Sequence, residues 1–143
     1  MALNAGAGSS HFGGGLSIVD ITATLYGAIM KLDPQNPEWE NRDRFILSKG
    51  HGCLALYAML YDKGFIKKKV LLSVGKLNSI LGGHPEHTIP GVEVSTGALG
   101  HGYPFACGMA LAARIKKEND ARKNMNNPSY DGYVPLSFAS SLD

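Results

Sequence analysis

Cysteine is nearly missing from this chain, with two in 143 residues. Neither Cys53 nor Cys107 lies in a Cys-x-x-Cys pair, and Met1 to Ser10 has neither a charged start nor an apolar run of the signal type. The expectation is therefore reduced thiols in a cytoplasmic protein. Cys107 sits in the small-residue run Ala106-Cys107-Gly108-Met109-Ala110, where it simply packs. Long hydrophobic runs are also missing. No apolar stretch approaches the roughly 18 residues that span a bilayer, which excludes a membrane partner. Charge of one sign is scarce as well, at 14 Lys and Arg against 12 Asp and Glu. No basic stripe with interleaved aromatics appears, so nucleic acid is excluded as a partner. Lys67-Lys68-Lys69 reads as a solvated surface run. What remains, at 44% hydrophobic, suits one soluble domain with a modest core.

Glycine is what the chain has in excess. Its 18 glycines cluster at 6–15, 50–52, 82–83 and 91–108. They follow no period, so they mark loops and not a fibrous or low-complexity chain. Beyond the first cluster, which holds His11, three glycine–histidine motifs follow in chain order. Arg42-Asp43-Arg44-Phe45-Ile46-Leu47-Ser48-Lys49-Gly50-His51-Gly52 comes first, Gly82-Gly83-His84-Pro85-Glu86 second, and Gly91 through Ser95-Thr96-Gly97-Ala98-Leu99-Gly100-His101-Gly102 third. Four of the five histidines (His11, His51, His84 and His101) have a glycine within two residues. Without a Cβ, glycine lets a phosphate or cofactor approach the main chain, and the imidazole beside it can bond the same ligand. This is the pattern of a site.

Along the chain, residues 1–15 read as small and flexible. A helix should begin at Ser17, an N-cap with Asp20 three residues on. Its apolar face would be Ile18, Ile21, Leu25 and Ile29, with Thr22 alongside, and Lys31-Leu32-Asp33-Pro34 would end it. Arg44 to Ser48 reads as a short buried strand. A helix then runs to about Lys63, with Leu54, Tyr57, Ala58 and Tyr61 on one face and Gly64 as its C-cap. A further helical stretch covers about 67–77, 81–100 is an extended loop region, and 102–117 is helical and rich in Ala and Gly. After residue 118 the sequence supplies no strand: Glu118 to Pro128 is polar and rich in breakers, and Pro135 interrupts the stretch from Tyr133 to Ala139. The chain thus divides into a unit over 1–118 and a divergent, irregular tail over 119–143. Strand, glycine turn and helix present loops at the carboxyl edge of an α/β sheet, where ligands bind.

His51, between two glycines at such a turn, can donate to a diphosphate beside the amides of a helix N-terminus; alternatively it caps the turn and bonds a carbonyl. Gly97-Ala98-Leu99-Gly100-His101-Gly102 precedes a helix, so its backbone can reach a flat heterocycle with Leu99 as a wedge. His11 and His84 are suited to proton donation or to holding ligand oxygens, since imidazole titrates near neutrality; otherwise they are solvent-facing loop histidines. The intervals of 40, 33 and 17 residues between His11, His51, His84 and His101 match no local zinc signature. Pro85 prevents a helical pairing of His84 with His87. No metal ligands are therefore assigned. Ser95-Thr96-Gly97 is not a nucleophile elbow, which removes the hydrolase reading.

Together these stretches resemble transketolase, in the amino-terminal, diphosphate-binding part of that thiamine diphosphate enzyme. The resemblance covers about residues 9–117. Ser10-His11-Phe12-Gly13-Gly14-Gly15-Leu16-Ser17 looks like the family's histidine–glycine loop, and Ser-Lys-Gly-His-Gly with Thr-Gly-Ala-Leu-Gly-His-Gly looks most like its split, two-subunit form. The resemblance implies a partial α/β thiamine diphosphate-binding fold, a parallel sheet flanked by helices. It implies transfer of a two-carbon glycolaldehyde (ketol) unit from a ketose phosphate to an aldose phosphate. The cofactor does the carbanion chemistry while the protein positions and polarises. Carried over, His51 would hold the diphosphate, with Gly97, Ala98 and Leu99 contacting the cofactor. His11 and His84 would be catalytic on the substrate side, assisting proton transfer. His101, grouped with them, stands where some one-chain members have glutamine. Arg42, Asp43 and Ser48 would fix the loop.

The departures are specific. The family's Gly-Asp-Gly, which with a later Asn holds the Mg²⁺ bridging the diphosphate, does not occur here; Tyr130-Asp131-Gly132 is the nearest match and lacks the preceding apolar strand. The resemblance implies that the pyrimidine-binding side lies on another chain, a C-terminal transketolase half or a second protomer, or is lost. The sequence thus reads as a truncated or frameshifted transketolase domain with little or no activity alone. Its alternatives are a non-catalytic remnant or interaction module, and a related enzyme such as dihydroxyacetone synthase or 1-deoxyxylulose-5-phosphate synthase.

Overall fold

Strand β1, Arg44–Leu47, organises the elements around it. The computed structural model of the protein describes residues 11–123 and the backbone of 137–140, with side chains over 11–117. Successive side chains of a strand point to opposite faces, and in β1 both faces are covered. Phe45 and Leu47 join the main core. Ile46 points the other way and is 1% exposed, against Gly102. Burial on both faces is the mark of a parallel strand, and the partner is parallel. β2, Ser137–Ser140, pairs with β1 so that Arg44 lies opposite Ser137 and Leu47 opposite Ser140.

Helices surround this pair. α1 is Phe12–Leu16, α2 is Val19–Thr24, continued by one π-helical turn over Leu25–Ile29, and α3 is Cys53–Asp62. α4 is the single turn Lys68–Leu71, and α5 is Gly102–Lys123. α5 packs against both strands, completing the strand–helix–strand crossover that parallel pairing requires. The fold is thus α/β, in partial form, with two strands among the described residues. The core joins β1 to α3 through Leu54, Tyr57 and Leu60, and to the loop region through Leu81 and Ile89.

Several sequence expectations hold. β1 lies where expected, residues 81–100 form no regular helix or strand, and α5 starts at Gly102. Gly64 ends α3 as foreseen. At φ +89°, its N–H bonds Tyr61 O at 3.0 Å while Phe65 N–H bonds Leu60 O at 2.9 Å. This reciprocal pair satisfies the last carbonyls of the helix.

Others are corrected. Helix begins at Phe12, so Ser17 is not an N-cap. It closes α1, its hydroxyl donating to Gly14 O at 2.9 Å. The buried side of α2 is Ile18, Thr22 and Tyr26, whereas Ile21 and Ile29 are exposed. Thr22 tolerates burial because its hydroxyl donates to Ile18 O at 3.0 Å, and the π-helical turn rotates the following residues away from a regular wheel. On α3, Leu54 and Tyr57 are buried as expected, but Tyr61 is exposed and Cys53, Leu56 and Leu60 take up the core. The helix expected over 67–77 shrinks to one turn. β2 overturns the expectation of no strand after residue 118; Pro135 lies before it in sequence, outside the described residues. α5 also runs beyond residue 117. No helix among the described residues is long and apolar enough to cross a membrane.

Candidate functional site

Three loops from distant parts of the sequence meet at the carboxyl end of β1, and each delivers one imidazole. His11 is the N-cap of α1, where its carbonyl accepts Gly15 N–H at 3.1 Å. His51 lies in the 3₁₀ turn Gly50–Gly52 that carries β1 into α3. His84 comes from the loop after Leu81. Ring centroids are 4.5 Å apart for His11 and His51, 4.7 Å for His51 and His84, and 5.7 Å for His11 and His84.

Main-chain contacts that only glycine allows bring these loops together. A Cβ on Gly14 would lie 2.9 Å from His51 O, and one on Gly50 would lie 2.9 Å from Gly97 N and from Thr96 C and O. Gly97 backs the His84 ring, with the position of a Cβ 3.4 Å from its Cγ and Cδ2. The His84 loop is strapped to α3. Tyr57 OH donates to His84 O at 2.8 Å and lies 3.1 Å from Gly82 O, and Cys53 Sγ donates to Gly83 O at 3.1 Å. Thr96, buried, ties the far end of the loop to β1 by donating to Leu47 O at 2.6 Å.

The electrostatics favour a neutral His84 ring. Burial lowers the His84 pKa from the ordinary imidazole value, and its neighbours His51 and His11 lower it further, against a smaller opposing pull from Glu86. His51 Nδ1 and His84 Nε2 are buried without a hydrogen-bond partner. An unmet buried donor or acceptor costs about 1–3 kcal/mol, so both atoms are poised for a ligand.

The structure sorts the residues singled out from the sequence. His11, His51, His84 and Gly97 come together. His101 stands apart: it is exposed, and its ring packs on Phe105 at 5.7 Å, heading an open apolar groove along α5 with Pro104, Gly108, Met109 and Ala112. Ala98 and Leu99 are exposed, and Leu99, expected as a wedge, is 59% accessible. Arg42, Asp43 and Ser48 are structural. Arg42 holds Glu93 through two bonds of 3.0 and 2.8 Å, the Asp43 carboxylate accepts Lys31 N–H at 2.8 Å, and Ser48 Oγ accepts Tyr103 N–H at 3.2 Å. Sequence reasoning missed Tyr57, Cys53 and Thr96 as the residues that hold the site. Tyr57 and Cys53 are one helical turn apart on α3, a spacing that reads equally well as core. Tyr130-Asp131-Gly132, the nearest match to the Mg²⁺ motif, lies outside the described residues.

A parallel strand whose carboxyl end passes through a glycine turn into a helix, under loops carrying ligand-ready imidazoles, defines the class of α/β cofactor-binding domains. The family model described as "Transketolase, thiamine diphosphate binding domain" matches residues 2–139, and the chain belongs to the transketolase family. It is 48% identical over 111 residues to one subunit of the apulose-4-phosphate transketolase of Phocaeicola vulgatus, covering 78% of this chain and 40% of that one. Against the transketolase of Aquifex aeolicus it is 50% identical over 111 residues, covering 76% and 16%. The structure of transketolase from Leishmania mexicana superposes with a TM-score of 0.72 at 36% identity, covering 83% of this chain and 17% of that chain. The chain therefore spans well under half the length of these relatives.

Proposed function

We propose that this chain supplies the diphosphate-binding side of a transketolase that moves a two-carbon ketol unit from a ketose phosphate to an aldose phosphate. The observation that carries the reading is the convergence of His11, His51 and His84 on one spot, with two ring nitrogens buried and unpaired. Thiamine diphosphate, when bound, supplies the carbanion-stabilising centre of this chemistry. The residues fit it on the side described. His51 would hold the diphosphate, and Gly97 would let the cofactor lie close to the main chain. His84 and His11 would hold the oxygens of the ketose and move its hydroxyl proton, His84 as a ring kept neutral and so ready to accept it. His101, exposed and stacked on Phe105, would reach the site only from its rim, and Ala98 and Leu99 would be covered once the cofactor is bound. Mg²⁺ is implied by the family, and its Gly-Asp-Gly ligand motif is absent from this chain.

The Phocaeicola vulgatus relative is named as one subunit of its transketolase, which supports a second chain as partner here, carrying the pyrimidine side. The experiment is to mix the purified chain with a C-terminal transketolase subunit, thiamine diphosphate, Mg²⁺, a ketose phosphate and an aldose phosphate. Ketol transfer that needs both chains, and that His84→Ala abolishes, is the expected result. No transfer with any such subunit would sink the reading, and dose-dependent inhibition of an intact transketolase in its place would make the chain a blocking module.

A further inference from the structure

We infer that His11, His51 and His84 together form a binding site for a single borderline divalent cation of the Zn²⁺, Co²⁺ or Ni²⁺ type. The inference goes beyond ketol transfer and rests on the cluster and its unmet ring nitrogens. One ring nitrogen from each histidine lies within 4.8 Å of the other two. Three imidazoles on a tetrahedral ion, at about 2.0–2.1 Å each, place their nitrogens roughly 3.3 Å apart, so the cluster lies an ångström or so from a closed site. The ring that can make this adjustment is His11, which is exposed at the start of α1, whereas His51 and His84 are half-buried. The second, independent observation is the pair of buried ring nitrogens, His51 Nδ1 and His84 Nε2, which no group among the described residues meets.

The donor set selects the ion. Imidazole suits Zn²⁺, Co²⁺, Ni²⁺ and Cu²⁺, while Mg²⁺ and Ca²⁺ require oxygen. The three histidines are the only such cluster among the described residues, and no carboxylate belongs to it. The long intervals that match no local zinc signature along the chain are no obstacle, because the fold brings the three loops together. Three protein ligands leave a fourth position open to water or substrate, the arrangement of an exchangeable site more than of a structural one.

The test uses the full, tag-free chain with no thiamine diphosphate and no sugar, so that its outcome is independent of the ketol-transfer reading. CoCl₂ is added while the visible spectrum is followed, and ZnCl₂ is titrated by calorimetry. The expected result is intense tetrahedral cobalt absorption that saturates at one ion per chain and persists in excess Mg²⁺. His51→Gln and His84→Gln should each weaken binding by about tenfold or more, and His87→Gln, outside the cluster, should leave it unchanged. Only weak octahedral cobalt bands, no saturation at one equivalent, or unchanged binding in folded His51→Gln and His84→Gln would overturn the inference. Should both variants fail to fold, the wild-type cobalt spectrum and stoichiometry decide alone.

Discussion

Cys53 and Cys107 carry one functional group in two environments. Cys53 is 1% exposed, and burial pushes its thiol up to about 11, against smaller lowering by Tyr57 and nearby amides. Cys107 is exposed. Because the thiolate is the reactive form, an aromatic disulfide reagent at pH 8 should label one thiol per native chain and two in denaturant; rapid labelling of two natively would contradict this burial. His84 is the second residue whose setting is measurable. Its pKa is lowered, chiefly by desolvation, so the unfolded chain takes up its proton first as pH falls. The contribution is fully present above the ordinary imidazole value of about 6.5 and is lost as pH drops through the lower folded value. His84 should therefore titrate below the ordinary imidazole value by NMR. The urea midpoint should fall between pH 7.5 and 5, less so in His84→Gln.

Among elements, α3 does the most for the site, because one face of it builds core while Cys53 and Tyr57 grip the His84 loop. Removing the Tyr57 hydroxyl leaves the carbonyls of Gly82 and His84 without this donor, which should cost about 1–3 kcal/mol. Tyr57→Phe should lower the urea midpoint and also shift the His84 ring resonances, whereas loss of packing elsewhere in the core would lower stability alone. The elements differ in how legible they were. β1, the glycine turn and the end of α3 follow from local chemistry: three apolar residues in a row, two glycines around His51, and Gly64 at a position that needs positive φ. The start of α1 was hidden because Gly13-Gly14-Gly15 reads as loop, although at Gly14 close approach to the His51 turn favours glycine. The expected face fails at Ile29 because of a π-helical turn that no periodicity announces. β2 was missed because four residues, Ser-Phe-Ala-Ser, become a strand only through pairing with β1.

At the scale of the whole molecule, long-range ties decide what the sequence hides. Arg42 and Glu93 are 51 residues apart and form a two-bond pair whose side chains are 13% and 10% exposed, with Arg44 at 3.9 Å. The pair joins the entry to β1 with the loop region that carries His84. Glu93→Gln should cost roughly 1.5–3 kcal/mol, the range for hydrogen bonds to charged groups. It should appear as a lower urea midpoint at unchanged m-value. Nothing in either local sequence announces that tie. The three histidines, by contrast, stand out as candidates from their glycine neighbours, although their meeting point required the fold. The exposure of His101 and Leu99 was not legible, because a motif gives residue types and spacing but not what covers them.

The crossing of Gly50 over Thr96–Gly97 has a consequence for how this chain can vary. Every single-base missense change of a glycine codon installs a residue with a Cβ. At Gly50 that atom would meet the Thr96–Gly97 peptide, with Thr96 C and O and Gly97 N each at 2.9 Å, where no flexible side chain can step aside and overpacking costs about 1–3 kcal/mol or more. Gly83 and Gly108 have nothing within 4 Å of the same atom. In a saturation library scored for folded protein, Gly50 should be a column with no accepted replacement, while Gly83 and Gly108 admit alanine. A lineage carrying this domain can drift at its open glycines, but at Gly50 it is confined to synonymous change.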